Sequence, residues 1–269
     1  VLESFNKEAG TLTFAVNEKY PRKPNAEKIV YRLFSNEDTM YLALQQGDID
    51  MVWNYSAGVA GTYQDVLAGD ETVSLINVAA ANAPAVLAFN NANGWFADEN
   101  LRQAVSCALD YEAFRTYFGS AYAEIPNRGF APSTTVGYKE TEKLTTDPAK
   151  AAEYMKAAGY TEKNEDGFFV NADGQTAAFT LTVNAAKEAH VGYAEMIKTQ
   201  LEQFGIQVYL DTIDQDAYNA KTSNKFSENN ITMEAAIFGY TAAGMGMGNG
   251  LGSIYVDGNH AVQGGCQVF

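Results

Sequence analysis

The chain has 269 residues, of which 46% are hydrophobic and 12% aromatic, and it carries 33 acidic against 18 basic side chains for a formal net charge of -15. That apolar share supplies a real core and excludes a disordered chain. The acidic balance excludes the clustered Lys and Arg of a nucleic-acid footprint or of docking on anionic lipid.

No run approaches the ~18 consecutive apolar residues that a membrane-spanning helix needs. Val1 is not an initiator Met, so a mature chain or a fragment is expected. Cys107 and Cys266 make no disulfide framework; Cys107 is expected as a buried thiol, and whether the two pair stays open.

Residues 10–17 and 28–34 alternate apolar and polar and predict two half-buried strands around a Pro-rich break at 20–24. Residues 36–44 predict a helix with acids in its first turn, where the macrodipole favours them, ended by Gly47. Residues 49–53 predict a third strand, 63–67 a short helix, and 72–79 and 84–90 two further strands. Then comes a polar, Gly-containing break, and a helix for which Asp98 is the N-cap and Gly119 the stop. Leu101, Val105, Ala108 and Leu109 share one face of it. The break near Gly94 is expected to be a hinge between two lobes, residues 1–93 and 94–269.

Residues 125–138 form a long, Pro- and Gly-punctuated connection, of the kind often tied to function. Asp147-Pro148 opens a helix and Gly159 stops it. Strands are predicted at 168–170 and 179–183, joined by the hairpin-like turn Asn171-Ala-Asp-Gly174. A helix at 193–204, a strand at 206–210, a short helix at 216–221 and a strand at 232–240 follow. The tail from Ala242 is Gly-rich and without period. The succession predicts an α/β fold.

The inventory does not support catalysis. His190 and His260 have no metal-ligand spacing to each other or to Cys, and no G-x-S-x-G elbow occurs. The pairs Asp48/Asp50 and Asp214/Asp216 lie near element ends and read as solvated carboxylates rather than acid/base dyads. Residues 244–250, GMGMGNG, lack the lysine of a phosphate loop and the spacing of a dinucleotide fingerprint. No cofactor and no metal are expected, and the chain is not expected to be an enzyme.

Four ordered segments carry a family resemblance. They are Leu12 to Asn17 with Tyr20 and Lys23-Pro24; Ile29 to Leu33 with Tyr41 to Asp50; Phe89-Asn90 through Leu101 to Asp110; and Asp147 to Tyr160 with Leu201 to Leu210. Together they resemble the family 5 extracellular solute-binding proteins, the peptide- and nickel-binding class that feeds ABC importers. The resemblance implies a periplasmic-binding-protein-like, type II flytrap architecture, with the solute in an interlobe cleft and the first lobe incomplete. It implies ABC permease subunits as partners and an extracellular place, periplasmic or as a cell-surface lipoprotein. Any membrane link would be an N-terminal lipid anchor absent from this chain. One departure stands out: Gly239-Tyr-Thr-Ala-Ala-Gly244 holds no acid where peptide binders of the family tend to carry one, which puts a peptide ligand in doubt.

Strand ends combined with that resemblance single out Trp53, Asn54 and Tyr55, Asn90 at the crossover, and Tyr240 and Thr241 at the last strand end as ligand-binding candidates. Aromatics beside amides suit a cleft that reads backbone-like groups. For each, core packing or a solvated loop is the alternative. Two other functions stay open: a sensor or adhesion module on the same fold, and an α/β hydrolase, which would need a nucleophile–base pair.

Overall fold

The computed structural model describes residues 1–22, 24–52, 59, 61–76, 82–92, 94–119, 122–127, 138–222 and 231–241, with backbone alone at 82–84, 240 and 241. The chain divides into two compact units, Val1–Asn54 with Thr62–Leu75, and Tyr55–Gly61 with Ile76–Phe269.

The first unit holds the antiparallel sheet β1 (Leu2–Asn6), β2 (Thr11–Ala15) and β3 (Lys28–Arg32), with β2 central, and the helices α1 (Glu37–Gln45) and α2 (Gly61–Ala68). Asn36 caps α1 by accepting from the Thr39 N–H at 2.9 Å. Two expected strands do not form among the described residues. Residues 49–52 lie in no strand, because the turn after α1 returns the Asp48 N–H to the Ala43 carbonyl at 2.8 Å. Residues 72–76 lie in none either: Asp70 turns the chain by accepting from Thr72 N at 2.9 Å and Thr72 Oγ1 at 2.6 Å.

The second unit is built on a four-stranded sheet of order β4-β9-β7-β8. Its strands are β4 (Asn82–Phe89), β7 (Ala178–Asn184), β8 (Gln207–Ile213) and β9 (Ala235–Thr241). β8 and β9 run parallel to β7, and β4 runs antiparallel to β9. The helix α6 (Glu188–Phe204) connects β7 to β8, and α7 (Gln215–Thr222) lies between β8 and β9 in sequence.

Alternation along the strands splits the core between the two faces of this sheet. Phe179, Leu181, Val183, Ala235 and Ile237 pack with α3 (Glu99–Ala108), α5 (Pro148–Ala157) and α6. Ala88 and Ala236 pack with Tyr218 of α7 and with Met233. Each fully buried aliphatic side chain contributes roughly 1.5–3 kcal/mol of transfer free energy.

Three further expectations change here. The helix from Asp98 does not run to Gly119 but breaks at Leu109, and α4 (Tyr111–Gly119) starts anew. Asp110 causes the break by capping α4, accepting from Glu112 N at 3.0 Å and Ala113 N at 3.1 Å. The strand at 168–170 is β6 (Phe169–Asn171) and pairs with β5 (Tyr160–Lys163), not with β7. The turn itself forms: Asn171 Oδ1 accepts from Gln175 N at 2.9 Å and Gly174 takes a φ of 74°, but it returns only to a single bridge, Val170 with Thr176. Finally, β4 belongs to the sheet of the second unit, so the break at Gly94 joins two elements of one unit.

Candidate functional site

In open α/β sheets, ligands sit outside the carboxyl ends of the strands, where loops leave the sheet and helices begin. The ladder Asn184↔Ile213 puts the carboxyl ends of β7 and β8 side by side. β9 runs in the same direction and ends at Thr241, paired with Asn82 at the start of β4. Four chain segments therefore meet along one edge.

Asn184 organises that edge. Its side chain is buried, with Oδ1 accepting from Ala186 N at 3.0 Å and Nδ2 donating to Gln215 Oε1 at 2.6 Å. Gln215 in turn donates to Asn219 Oδ1 at 2.8 Å. The backbone repeats the tie, since the Ala185 N–H donates to the Ile213 carbonyl at 2.8 Å. One amide thus fixes both the turn into α6 and the turn into α7. Asp214 caps α7 by accepting from Asp216 N and Ala217 N, both at 2.9 Å. α6 has no side-chain cap at Lys187, and His190 lies buried near its start.

Beneath the edge, on the α7 side, Thr182 is buried and lies 3.5 Å from Asp211, which pairs with Lys221 at 2.6 Å. An aromatic group lines the early turns of α6. Tyr193 meets Tyr117 edge-on at a ring separation of 5.1 Å and has Phe114 at 6.1 Å. Burial, with a smaller contribution from Tyr117, pushes the Tyr193 phenol well above its ordinary range. The Tyr117 hydroxyl lies over Gly192, in the space a Cβ there would take.

The opposite edge is filled. Trp95, in the 3-10 turn Trp95–Ala97, stacks on Phe179 at 5.6 Å and donates to the Tyr160 hydroxyl at 3.0 Å. Phe96 packs between Phe89 and Phe179, at ring separations of 4.3 and 4.8 Å.

This geometry separates the residues that sequence had grouped. Tyr240 and Thr241 lie on the carboxyl edge. Asn90 follows Phe89, which pairs with Ala235 at the other end of the β4–β9 ladder. At ~3.4 Å per residue, the ladder puts about 24 Å between the two ends. Asn90 is buried and committed to backbone: its Nδ2 donates to the Met233 carbonyl at 3.1 Å, and its Oδ1 accepts from Ala92 N at 3.2 Å. Trp53, Asn54 and Tyr55, residues 244–250, His260 and Cys266 lie outside the described residues. Among the described residues no group of three or more His, Cys, Asp and Glu stands close enough to hold a metal ion, and no helix is long and apolar enough to cross a membrane.

Sequence reading missed Asn184 and Gln215. The signal available was an apolar strand ending in Asn just before a long helix.

The family model for bacterial extracellular solute-binding proteins, family 5 Middle, matches residues 1–259. A curated relative, the oligopeptide-binding protein AppA of Bacillus subtilis (strain 168), is 22% identical over 208 residues, which cover 76% of this chain and 36% of that protein. The chain is similar in fold to NikA from Brucella suis, solved in complex with Fe(III)-EDTA. The TM-score is 0.82 at 19% identity, covering 97% of this chain and 51% of that one. It is also similar to DppA from Helicobacter pylori, solved in complex with the peptide STSA. There the TM-score is 0.70 at 21% identity, covering 99% and 47%. The chain thus spans about half the length of these solved structures and just over a third of that curated relative.

Proposed function

The chain belongs to the family 5 bacterial extracellular solute-binding proteins, and from that premise we propose that it is part of the solute-binding component of an ABC importer, taking an oligopeptide-like solute. The family consists of binding proteins rather than enzymes, and the fold is the periplasmic-binding-protein type. The second unit contributes the carboxyl edge of β7, β8 and β9 to the solute site, with Tyr240 and Thr241 on it. Trp53, Asn54 and Tyr55, where the chain passes from the first unit to the second, remain candidates for solute contact. Asn90 enters this reading as a residue that positions β4.

The observation that carries the reading is the amide pair Gln215–Asn219, exposed on that edge and held there by the buried Asn184. Side-chain amides both donate and accept, so this exposed pair matches the peptide group, which does the same. The oligopeptide-binding protein AppA and DppA, solved with a bound peptide, support the same class. Delivery to permease subunits, closure of two lobes, and a periplasmic or lipid-anchored place at the cell surface belong to the proposal.

Native mass spectrometry of the full-length protein as purified tests it. The expected result is a co-purified peptide released on collisional activation. A bare protein that shows no binding across a tetrapeptide library would contradict the peptide assignment.

A further inference from the structure

β8 ends the sheet order β4-β9-β7-β8, so one of its sides faces away from β7. Along a strand, the backbone groups of successive residues point to opposite sides. The Gln207 N–H donates to the Ala177 carbonyl, and the Ile213 carbonyl accepts from Ala185 N, so the odd-numbered residues of β8 face β7. Val208, Leu210 and Thr212 therefore turn their N–H and C=O groups to the outer edge. A row of this kind is a template for pairing with another strand.

That edge is occupied at one point. Lys198 of α6 donates to the Val208 carbonyl at 2.9 Å, and Glu202 of the same helix accepts from Val208 N at 3.4 Å. The two side chains also pair with each other. Helix support does not account for the pair, because the favourable order places Glu four residues before Lys and here Lys comes first. Backbone satisfaction does not account for it either, since water can satisfy the same groups at an open edge.

The strand behind the pair has a composition that favours pairing with its own kind. Gln207-Val-Tyr-Leu-Asp-Thr-Ile213 is rich in β-branched and aromatic residues and has no Pro or Gly. Its one charge, Asp211, is paired with Lys221 at 2.6 Å, and Tyr209 is 53% exposed. Such a segment on an edge is an association hazard. Two copies of it are self-complementary. Placed antiparallel about Leu210, Leu210 faces Leu210, Val208 faces Thr212 at both ends, and Tyr209 lies opposite Asp211, so no like charges meet. Residues facing each other in this way exchange both N–H···O bonds. With Val208 occupied, both Val208–Thr212 pairs are lost and only the central Leu210 pair is left.

We infer that the Lys198–Glu202 pair guards the outer edge of β8, holding the Val208 backbone so that a second copy of this chain cannot add its own β8 there. The inference rests on the second unit alone and is independent of what the protein binds.

Sedimentation velocity and hydrogen exchange of the full-length protein test it. Lys198→Ala/Glu202→Ala opens the edge while keeping the net charge and the helix propensity of α6. Its self-association constant is expected to exceed that of the parent about tenfold or more, with added protection across 206–213 as concentration rises. Thr212→Pro in that background removes an outward N–H and no ladder bond to β7, and is expected to restore the behaviour of the parent. Lys198→Ala alone frees the Val208 carbonyl and is expected to shift association in the same direction, which keeps the test readable if the double variant fails to fold. Association of the opened variants within about twofold of the parent would overturn the inference. So would association that survives Thr212→Pro, or a parent that already self-associates with protection across 206–213.

Discussion

The Asn90 side chain donates to the Met233 carbonyl at 3.1 Å, pinning the end of β4 to the residue two positions before β9 begins. With its own N–H on the Glu234 carbonyl at 2.9 Å, Asn90 closes the ladder at the edge sealed by Trp95 and Phe96. Replacing Asn90 by Ala strands the Met233 carbonyl and the Ala92 N–H in a buried setting, which costs about 1–3 kcal/mol. The expected outcome is a lower denaturant midpoint with an unchanged slope, and solute affinity within about twofold of the parent because the candidate site is at the other edge. Chemical unfolding and titration with the co-purified solute check both halves.

Asn184→Ala is expected to cost affinity as well as stability. Asn184→Ala removes the side chain that holds the turns into α6 and α7. Solute affinity is expected to fall about tenfold, equivalent to ~1.4 kcal/mol. The loss of stability should be similar to that for Asn90→Ala, so the ratio of affinity loss to stability loss separates the two positions. Calorimetric titration at a temperature where both variants are folded measures it.

These two asparagines also show what was legible in sequence. Asp98 and Asp147 announced their helices because an N-cap acts within three residues, and both accept from first-turn N–H groups. Asn90 was noticed as a candidate for ligand contact and turned out to be tied to backbone. Asn184 was passed over. Both outcomes have one cause: the role of each depends on which strands lie beside it. β4 pairs with β9, and nothing local to residues 82–89 encodes a partner at 235–241. Asp110 shows a local competition decided by packing, since its cap breaks a pattern that periodicity alone would continue. β1 was missed because the irregularity between Leu2 and Ser4 spoils the alternation by which strands are recognised.

Gly192 is a place where Ala is expected to be tolerated. A Cβ there would meet the Tyr117 hydroxyl, the far end of a side chain that is 45% exposed and free to swing outward. Ala gains roughly 1 kcal/mol over Gly inside a helix, which offsets the loss of the Tyr117–Tyr193 ring contact. Gly192→Ala is therefore expected to stay within about 1 kcal/mol of the parent in thermal unfolding. A loss of more than about 2 kcal/mol, as in an overpacked core, would show that Tyr117 is held in place.

Tyr193 predicts an alkaline limit. Its folded-state phenol is held above the ordinary value of 10.0, so the neutral form is favoured in the folded state. The stability linked to it is fully present below pH ~10 and is lost as pH rises through the folded value. Absorbance at the phenolate band should show Tyr193 still protonated while exposed tyrosines ionise. Tyr193→Phe should flatten the fall in stability above pH ~10.

Hydrogen exchange of the full-length protein, with and without its co-purified solute, tests the central claim most directly. The account predicts added protection in peptides covering 184–187, 213–217 and 238–241, where the strands of the carboxyl edge end, and no change across 90–97. Protection confined to 90–97, with the carboxyl edge unaffected, would contradict it.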